Sequence, residues 1–143
     1  MKLQDKTCII TGASSGIGES LARGMAVQGA TVVLAARRQE KLDQVAHEIN
    51  NSGGKALAQE TDLTDPNQCK SLIARTIEIY KKLDVLILNA GVSMWTPFED
   101  INDVSFFEQL MATNYMGAVH CVHAALPHLK AVNGMIVNCS TAQ

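Results

Sequence analysis

The sequence predicts an α/β protein in which a doubly wound parallel sheet is covered by helices on both faces. Short apolar runs alternate along the chain with stretches in which apolar residues recur at helical spacing. The apolar runs lack the strict apolar and polar alternation of a sheet with one wet face, so both faces of the strands are expected to be covered. Right-handed crossovers between such strands produce an open, doubly wound sheet.

The first half of the chain supplies three predicted strands and the two helices between them. β-branched or apolar runs at 7–11, 30–36 and 55–60 predict the strands. Apolar residues at helical spacing in 16–28 and 40–50 predict the helices, and a glycine follows each helix within a few residues as a stop signal.

The second half continues the same alternation. Asp65 suits the N-cap of a third helix, and Pro66 suits its first turn. The runs 84–89 and 135–139 predict buried strands, and residues 104–130 predict one long helix between them. Five strands are therefore expected in a single domain that spans residues 1–143.

Composition and charge exclude several classes of protein. Apolar residues make up 47% of the chain and charged residues 18%, which allows a substantial core and argues against disorder. The net charge of -2 gives no reason to expect nucleic acid or an anionic membrane as a partner. No apolar stretch is long enough to span a bilayer.

The cysteines and histidines predict neither disulfides nor a metal site. The four cysteines are too widely separated for a disulfide framework or a zinc motif, so reduced thiols in a cytoplasmic protein are the simplest interpretation. They are Cys8, Cys69, Cys121 and Cys139. His120 and His123 stand near each other on the predicted long helix, but no carboxylate lies at a matching step, so both are expected at a surface or an interface.

The turn after the first strand is the strongest candidate for a ligand site. Ligands of doubly wound sheets bind beyond the carboxyl ends of the strands, and glycines let a phosphate approach the backbone there. The following helix offers unpaired N–H groups to an anion. A purely structural glycine turn is the alternative. The candidate cofactor-binding residues are Gly12, Ser14, Ser15, Gly16, Ile17 and Gly18.

The residues after the second strand indicate which cofactor the site prefers. An acidic residue at this position binds the ribose of NAD, whereas an arginine accommodates the 2′-phosphate of NADP. Arg37 and Arg38 stand there, and the first acid is Glu40. Arginine binds phosphate through planar, bidentate donors, so NADP(H) is the predicted cofactor and NAD(H) the alternative. Two solvated arginines at a helix start are the structural interpretation.

Candidate site residues also follow three further strands. They are Asp62 and Leu63 after the third strand, Asn89, Ala90 and Gly91 after the fourth, and Ser140 after the fifth. Asn114 joins them because asparagine is a poor helix former in the middle of a long helix. Structural alternatives are capping for Asp62, backbone hydrogen bonds for Asn89 and a buried bond to a neighbouring strand for Asn114.

Together these motifs resemble the short-chain dehydrogenase/reductase family along the whole chain. The Gly-x-x-x-Gly-x-Gly spacing of residues 12–18 is that of the family's glycine motif, and residues 89–91 match its Asn-Ala-Gly motif. The resemblance implies a Rossmann-like fold that transfers hydride between a nicotinamide and a small carbonyl or alcohol substrate. It also implies that Asp62 contacts adenine, that Asn114 bends its helix and holds a water, and that Ser140 is catalytic.

The family's catalytic Tyr-x-x-x-Lys motif is missing from the sequence. Tyr80 is followed four residues later by Asp84, and Tyr115 by Val119. Since the family places this motif shortly after its serine, the chain is expected to be the N-terminal cofactor-binding part, truncated after the fifth strand and inactive alone. Thr141 is the alternative to the preceding serine as the family's catalytic serine.

Three further expectations concern function and assembly. A non-catalytic nucleotide-binding or protein-interaction module is the main alternative function. A third possibility, a purely structural domain, would require all five motifs to be accidental.

Met94 and Trp95, in the loop after the fourth strand, are expected to form a substrate lid or to pack over the sheet edge. The resemblance implies a homo-oligomer through the helix at 104–130, and the isolated chain is expected to self-associate or to be marginally stable.

Overall fold

The computed structural model describes residues 2–140, which form one parallel sheet flanked by helices. The strands are β1 (Thr7–Thr11), β2 (Thr31–Ala36), β3 (Lys55–Glu60), β4 (Val85–Leu88) and β5 (Met135–Asn138). The helices are α1 (Gly16–Val27), α2 (Gln39–Asn51), α3 (Pro66–Tyr80), α4 (Ser105–Met111) and α5 (Gly117–Ala131). The strand order is β3-β2-β1-β4-β5, which confirms the doubly wound fold and puts its switch point between β1 and β4.

Helices cover both faces of the central strands, as the sequence predicted. Ile10 and Leu34 lie in a cluster with the apolar residues of α1 and α2, whereas Ile9 and Val33 lie in a second cluster with those of α3 and α5. All four side chains are fully excluded from solvent. Successive residues of a strand point to opposite faces, so an uninterrupted apolar run fills both layers.

Asp84 joins three strands at the amino end of the sheet. Its carboxylate accepts hydrogen bonds from the backbone N–H of Thr7 at 2.9 Å and from the Lys6 ammonium at 2.8 Å. Its carbonyl accepts the N–H of Met135 at 2.8 Å. Only 5% of the Asp84 side chain is exposed, and the Lys82 ammonium lies 3.3 Å from its second oxygen. These bonds lie at the amino end of the sheet, whereas the opposite, carboxyl end carries the turns and loops.

The start of α3 follows the predicted capping. Asp65 is the N-cap, and its carboxylate accepts the N–H of Asn67 at 2.8 Å. Pro66 occupies the first helical position, where its missing N–H costs no hydrogen bond.

The predicted long helix is interrupted by a π-helical segment, Ala112–Met116, between α4 and α5. Wider i→i+5 turns of this kind occur mostly as single insertions within α-helices and often at functional sites. Within the described residues, no helix has both the length and the apolar composition to cross a membrane.

The prediction that the fifth strand is buried is wrong for this chain. Met135, Ile136 and Val137 are 46%, 40% and 37% exposed. β5 pairs with β4 along one edge only, and none of the described helices covers it as α5 and α1 cover the central strands. An apolar run indicates a strand, but the cover over its faces depends on other parts of the fold.

Candidate active site

A cleft of about 620 Å³ opens at the carboxyl ends of β1 to β4. It collects eleven of the thirteen predicted cofactor-binding residues: Gly12, Ser14, Ser15, Ile17, Arg37, Arg38, Asp62, Leu63, Asn89, Ala90 and Gly91. Gly16 and Gly18 do not line it. The cleft therefore extends from the end of β2, past the start of α1, to the turn after β4.

A second cavity of about 610 Å³ adjoins the cleft on the β5 side. Both predicted catalytic residues, Asn114 and Ser140, line this cavity together with Cys139. Its wall includes Leu63 and Asn89, which also border the cleft, so the two spaces adjoin each other. Thr141, the alternative serine equivalent, lies outside the described residues.

The glycine turn brings backbone close to backbone beside the start of α1. Gly12 has φ +67°, and a Cβ on it would lie 2.8 Å from the Ala90 Cα. A Cβ on Gly18 would collide with the Gly12 carbonyl and lie 2.5 Å from the Asn89 amide nitrogen. The N-cap of α1, Ser15, makes no side-chain capping bond, so the first N–H groups of the helix remain free for an anion.

Thr11 connects this turn to the turn after β4, a role that the sequence reasoning missed. Its side-chain oxygen accepts the N–H groups of Asn89 and Ala90, both at 3.0 Å, and donates to the Ile87 carbonyl at 3.4 Å. The Asn89 amide donates in return to the Thr11 carbonyl at 3.1 Å and to the Gly12 carbonyl at 3.4 Å. One signal in the sequence could have indicated this role: Thr11 is a polar residue at the end of a buried strand, directly before the glycine turn.

Arg38 links the end of β2 to the glycine turn. Its guanidinium donates to the hydroxyl groups of Ser14 and Ser15, each at 3.1 Å. Arg37 lines the same part of the cleft. Hydroxyl and guanidinium donors therefore converge at the end of β2, where a phosphate group would find several hydrogen-bond partners.

Asp62 is held as a carboxylate on the opposite wall of the cleft. Its Oδ1 accepts the N–H of Thr64 at 2.9 Å and the Thr64 hydroxyl at 2.8 Å. These two bonds, with a smaller contribution from the charge of Arg37, lower the pKa of Asp62. The residue thus makes a local turn, as the structural alternative proposed, and also lines the cleft.

Asn114 lies in the π-helical segment and holds the loop after β4. Its Oδ1 accepts the Val92 N–H and its Nδ2 donates to the Val92 carbonyl, both at 2.8 Å. The anticipated buried bond to a strand is therefore replaced by a pair of bonds to a loop, and Asn114 itself is exposed. The paired bonds fix the loop against the helix at the entrance to the second cavity.

Comparison with known proteins identifies the family. The family model described as short chain dehydrogenase matches residues 6–143.

This chain belongs to the short-chain dehydrogenase family.

Proteins named as hydroxysteroid dehydrogenases and oxidoreductases are similar to nearly all of this chain. An 11-beta-hydroxysteroid dehydrogenase 1A of Arabidopsis thaliana is 38% identical over 98% of this chain and 40% of its own length. An uncharacterized oxidoreductase of Listeria innocua is 41% identical over 92% of this chain and 52% of its own length. The chain thus spans about half or less of the length of these relatives.

Two solved structures share the fold. A short-chain type dehydrogenase/reductase from Mycobacterium marinum has a TM-score of 0.89 and 32% identity, over 96% of this chain and 56% of its own. An alcohol dehydrogenase from Thermococcus sibiricus, complexed with 5-hydroxy-NADP, has a TM-score of 0.89 and 28% identity, over 94% of this chain and 57% of its own.

Two other sequence features of this family member do not line the cleft. Among the described residues, no three histidine, cysteine or acidic side chains are grouped to hold a metal ion. His123 is exposed and His120 half-buried, whereas Cys121 between them is fully buried. In the loop after β4, the Trp95 side chain is 82% exposed, so it does not cover the sheet edge.

Proposed function

We propose that this chain is the NADP(H)-binding portion of a short-chain reductase that transfers hydride between a nicotinamide and a small carbonyl or alcohol substrate. The observation that carries the proposal is the run of lining residues along the cleft and the adjoining cavity. It begins at Arg37 and Arg38, passes the uncapped start of α1 and ends at the cavity lined by Asn114 and Ser140. The relatives named hydroxysteroid and alcohol dehydrogenases support a substrate of this class.

The residues of the cleft fit a dinucleotide phosphate. Gly12 lets the turn pack against Ala90, where a side chain would collide, and the first N–H groups of α1 are free to bind a pyrophosphate. Arg37 and Arg38, with Ser14, would supply donors for a 2′-phosphate, and Asp62, which lines the same cleft, would contact the adenine. NADPH, when bound, supplies the hydride, and NAD(H) is the alternative cofactor.

The cavity on the β5 side is the proposed place of reaction. Ser140 would donate a hydrogen bond to the substrate oxygen, and Asn114 would hold the Val92 loop at the entrance. A proton donor is also needed, and the 143 residues contain no Tyr-x-x-x-Lys. Tyr80 cannot substitute, because burial raises the pKa of its phenol and it does not line either space. We therefore expect this chain alone to bind NADPH without turnover.

Calorimetry of cofactor binding tests the proposal. The unaltered chain should bind NADPH more tightly than NADH, and Arg37→Asp should remove or reverse the preference. Each charge-assisted bond to the phosphate contributes about 1.5–3 kcal/mol, so losing one costs roughly 10- to 150-fold in affinity. Lys41→Asp is the matched control, since Lys41 is exposed on α2 and does not line the cleft. Equal affinity for the two cofactors in the unaltered chain would contradict the preference.

A non-catalytic nucleotide-binding or interaction module is the second candidate function. A turnover assay separates the two ideas only if activity is found. NADPH consumption across a panel of aldehydes and ketones should not exceed that of buffer. Steady consumption that Ser140→Ala abolishes would show that this chain is an enzyme by itself.

Assembly and compartment complete the proposal. The helical stretch from α4 through the π-helical segment to α5, where the long helix at 104–130 was predicted, exposes Met111, Tyr115 and Val119 at 57%, 59% and 41%. This surface supports self-association. The four cysteines are free thiols, and three of them are buried. Free thiols support a reducing compartment, and we propose the cytoplasm.

A further inference from the structure

A groove of about 600 Å³ runs along the surface between α3 and α5. These two helices lie on the same face of the sheet and share one cluster of buried apolar side chains. The volume is within the range of small-molecule sites. None of the residues that line the groove borders the cofactor cleft or the adjoining cavity. The groove is therefore a space that the proposed function leaves without a role.

The lining residues form one stripe on each helix. Lys70 and Ala74 are four residues apart on α3, and His120 and His128 are two such steps apart on α5. Residues four apart lie on one face of a helix, so each helix contributes a continuous stripe to the groove. The stripe on α3 covers 66–74, which at about 1.5 Å per residue is about 12 Å long.

Part of the groove is apolar. Ile73 is 2% exposed and lies at its floor, and Val119, which is 41% exposed, forms part of its wall. The side chains of Ala74 and Ala124 end at Cβ, so the space between the two stripes stays open. An apolar chain laid along these residues would remove their surface from water, which favours binding.

Five lining residues are polar, and four of these are basic. Lys70 is positively charged, and histidine side chains in general gain a positive charge in mildly acidic solution. No acidic residue is among the described residues that line the groove. The groove is therefore complementary in charge to an anion. The five polar residues are Asn67, Lys70, His120, His123 and His128.

The charged residues around the groove do not place an acid against the histidines. Asp65 is the N-cap of α3, and its carboxylate already accepts the N–H of Asn67 at 2.8 Å. Arg75 and Glu78, the other charged residues of α3, do not line the groove. Lys130, in the last turn of α5, is basic, and the strand β4 in the same apolar cluster carries no charged residue.

We propose that this groove binds a small carboxylate with an apolar chain, such as a medium-chain fatty acid. The carboxylate is held by Lys70 and the neighbouring histidines, and the chain lies along Ile73 and Ala124. A small anion without a chain would leave the apolar part of the groove uncovered, and a chain without a negative charge would gain nothing from the basic side chains. The site is separate from the cofactor cleft, so the proposal does not depend on the proposed function.

The histidines predict how binding changes with pH. A bound carboxylate is attracted to charged imidazole rings and much less to neutral ones. The ligand carboxylate is itself ionised well above its ordinary pKa of about 4–5. Affinity should therefore be about 2- to 10-fold higher at about pH 6 than at about pH 8. Equal affinity at the two pH values would show that the histidines do not take part.

Calorimetry and NMR with decanoate test the proposal in the full chain. Decanoate should bind, whereas acetate and inorganic phosphate, which have no apolar chain, and decylamine, which has the same chain with a positive charge, should not. In NMR spectra at about pH 6, decanoate should shift the imidazole resonances of His120, His123 and His128. His47 is the internal control, because it is exposed on α2, which covers the opposite face of the sheet.

Two pairs of variants locate the site. Lys70→Glu replaces an attraction with a repulsion and should lower decanoate affinity by about 5- to 25-fold. Its control is Lys130→Glu, the same change at an exposed position of α5 that does not line the groove. Ala74→Trp should block the groove, and Ser71→Trp, at an exposed position of α3 outside it, should not. Circular dichroism confirms that each variant is folded.

Three results would overturn the inference. Absence of decanoate binding to the unaltered chain would refute it directly. Binding that Lys70→Glu and Ala74→Trp leave unchanged would place the ligand elsewhere on the molecule. Groove variants that change the sedimentation of the chain, but not its binding of decanoate, would show that a second copy of the chain occupies the groove instead.

Discussion

One hydroxyl group holds together the two turns that form the floor of the cleft. Thr11 is only 1% exposed, and its oxygen accepts two backbone N–H groups from the turn after β4. A valine of the same shape would keep the packing but leave both donors without this acceptor. The cost of unpaired polar groups is larger than the net contribution of the bonds themselves.

Replacing Thr11 with valine should therefore destabilise the fold by about 1–3 kcal/mol. Urea denaturation measures the loss, and calorimetry should show weaker NADPH binding because Asn89 and Ala90 line the cleft. Thr76→Val is the matched control. Thr76 is also fully buried, but its hydroxyl only donates at 2.8 Å to the Leu72 carbonyl within α3, so the control should cost less. Equal losses in the two variants would show that Thr11 has no special role.

At the scale of the elements, the two ends of the sheet have different chemistry. The carboxyl end carries turns and helix starts, whereas the amino end is tied by Asp84 to β1, β4 and β5. Burial alone would raise the pKa of Asp84, but hydrogen bonds from Lys6 and the Thr7 N–H, with the charge of Lys82, hold it below its ordinary value. The anchor therefore depends on a carboxylate that stays ionised.

This anchor predicts a loss of stability in acid. A carboxyl group whose pKa is lowered by folding stabilises the protein above its unfolded pKa of about 3.9, and that stabilisation is lost as the pH falls through the folded pKa. The free energy of unfolding, measured from neutral pH downward, should fall below about pH 4. Asp84→Asn should lower stability at pH 7 by about 1–3 kcal/mol and flatten the acid limb.

Asp103→Asn is the control for the acid limb. The pKa of Asp103 is lowered by bonds from the Ser105 N–H and hydroxyl, but this carboxylate is exposed and joins no strands. Its replacement should change the acid limb less than Asp84→Asn. If the two variants gave superimposable pH profiles, the anchor would not be the main source of acid sensitivity.

The sequence predicted those elements whose signals are local. Uninterrupted apolar runs identified β1, β2 and β4, and Asp65 with Pro66 identified the start of α3. The π-helical segment was missed because the two hydrogen bonds that accompany it join Asn114 to the backbone of Val92, 22 positions away. The role of Thr11 was missed for the same reason, since Asn89 is 78 positions away. Pairings at such separations leave no periodic signal in the sequence.

At the scale of the whole molecule, one edge of the sheet leaves apolar surface exposed. The edge strand β5 exposes Met135, Ile136 and Val137, while β1, β2 and β4 are almost fully covered. An open apolar strand at the edge of a sheet is a template for pairing with another chain. The long helix adds exposed apolar residues of its own.

We therefore expect concentration-dependent association of this chain in analytical ultracentrifugation. Ile136→Lys, on the open strand, should reduce it. Val27→Lys is the control, because Val27 is 87% exposed at the end of α1, which covers the face of the sheet opposite to α5.

NADPH at 100 times its dissociation constant should stabilise the folded chain by about 2.7 kcal/mol, visible as a higher melting temperature. A compact monomer at every concentration would contradict the expected association, and a melting temperature that NADPH does not change would contradict cofactor binding.

The exposed position of Trp95 decides what intrinsic fluorescence can report. It is the one tryptophan of the sequence, and it stands 82% exposed in the loop after β4. Emission from an indole already surrounded by water shifts little when the chain unfolds, so fluorescence is a poor monitor of the core. The same indole is close in sequence to Val92, which lines both the cleft and the cavity. Its quenching or blue shift should therefore follow the arrival of ligands, and circular dichroism should be used to follow folding.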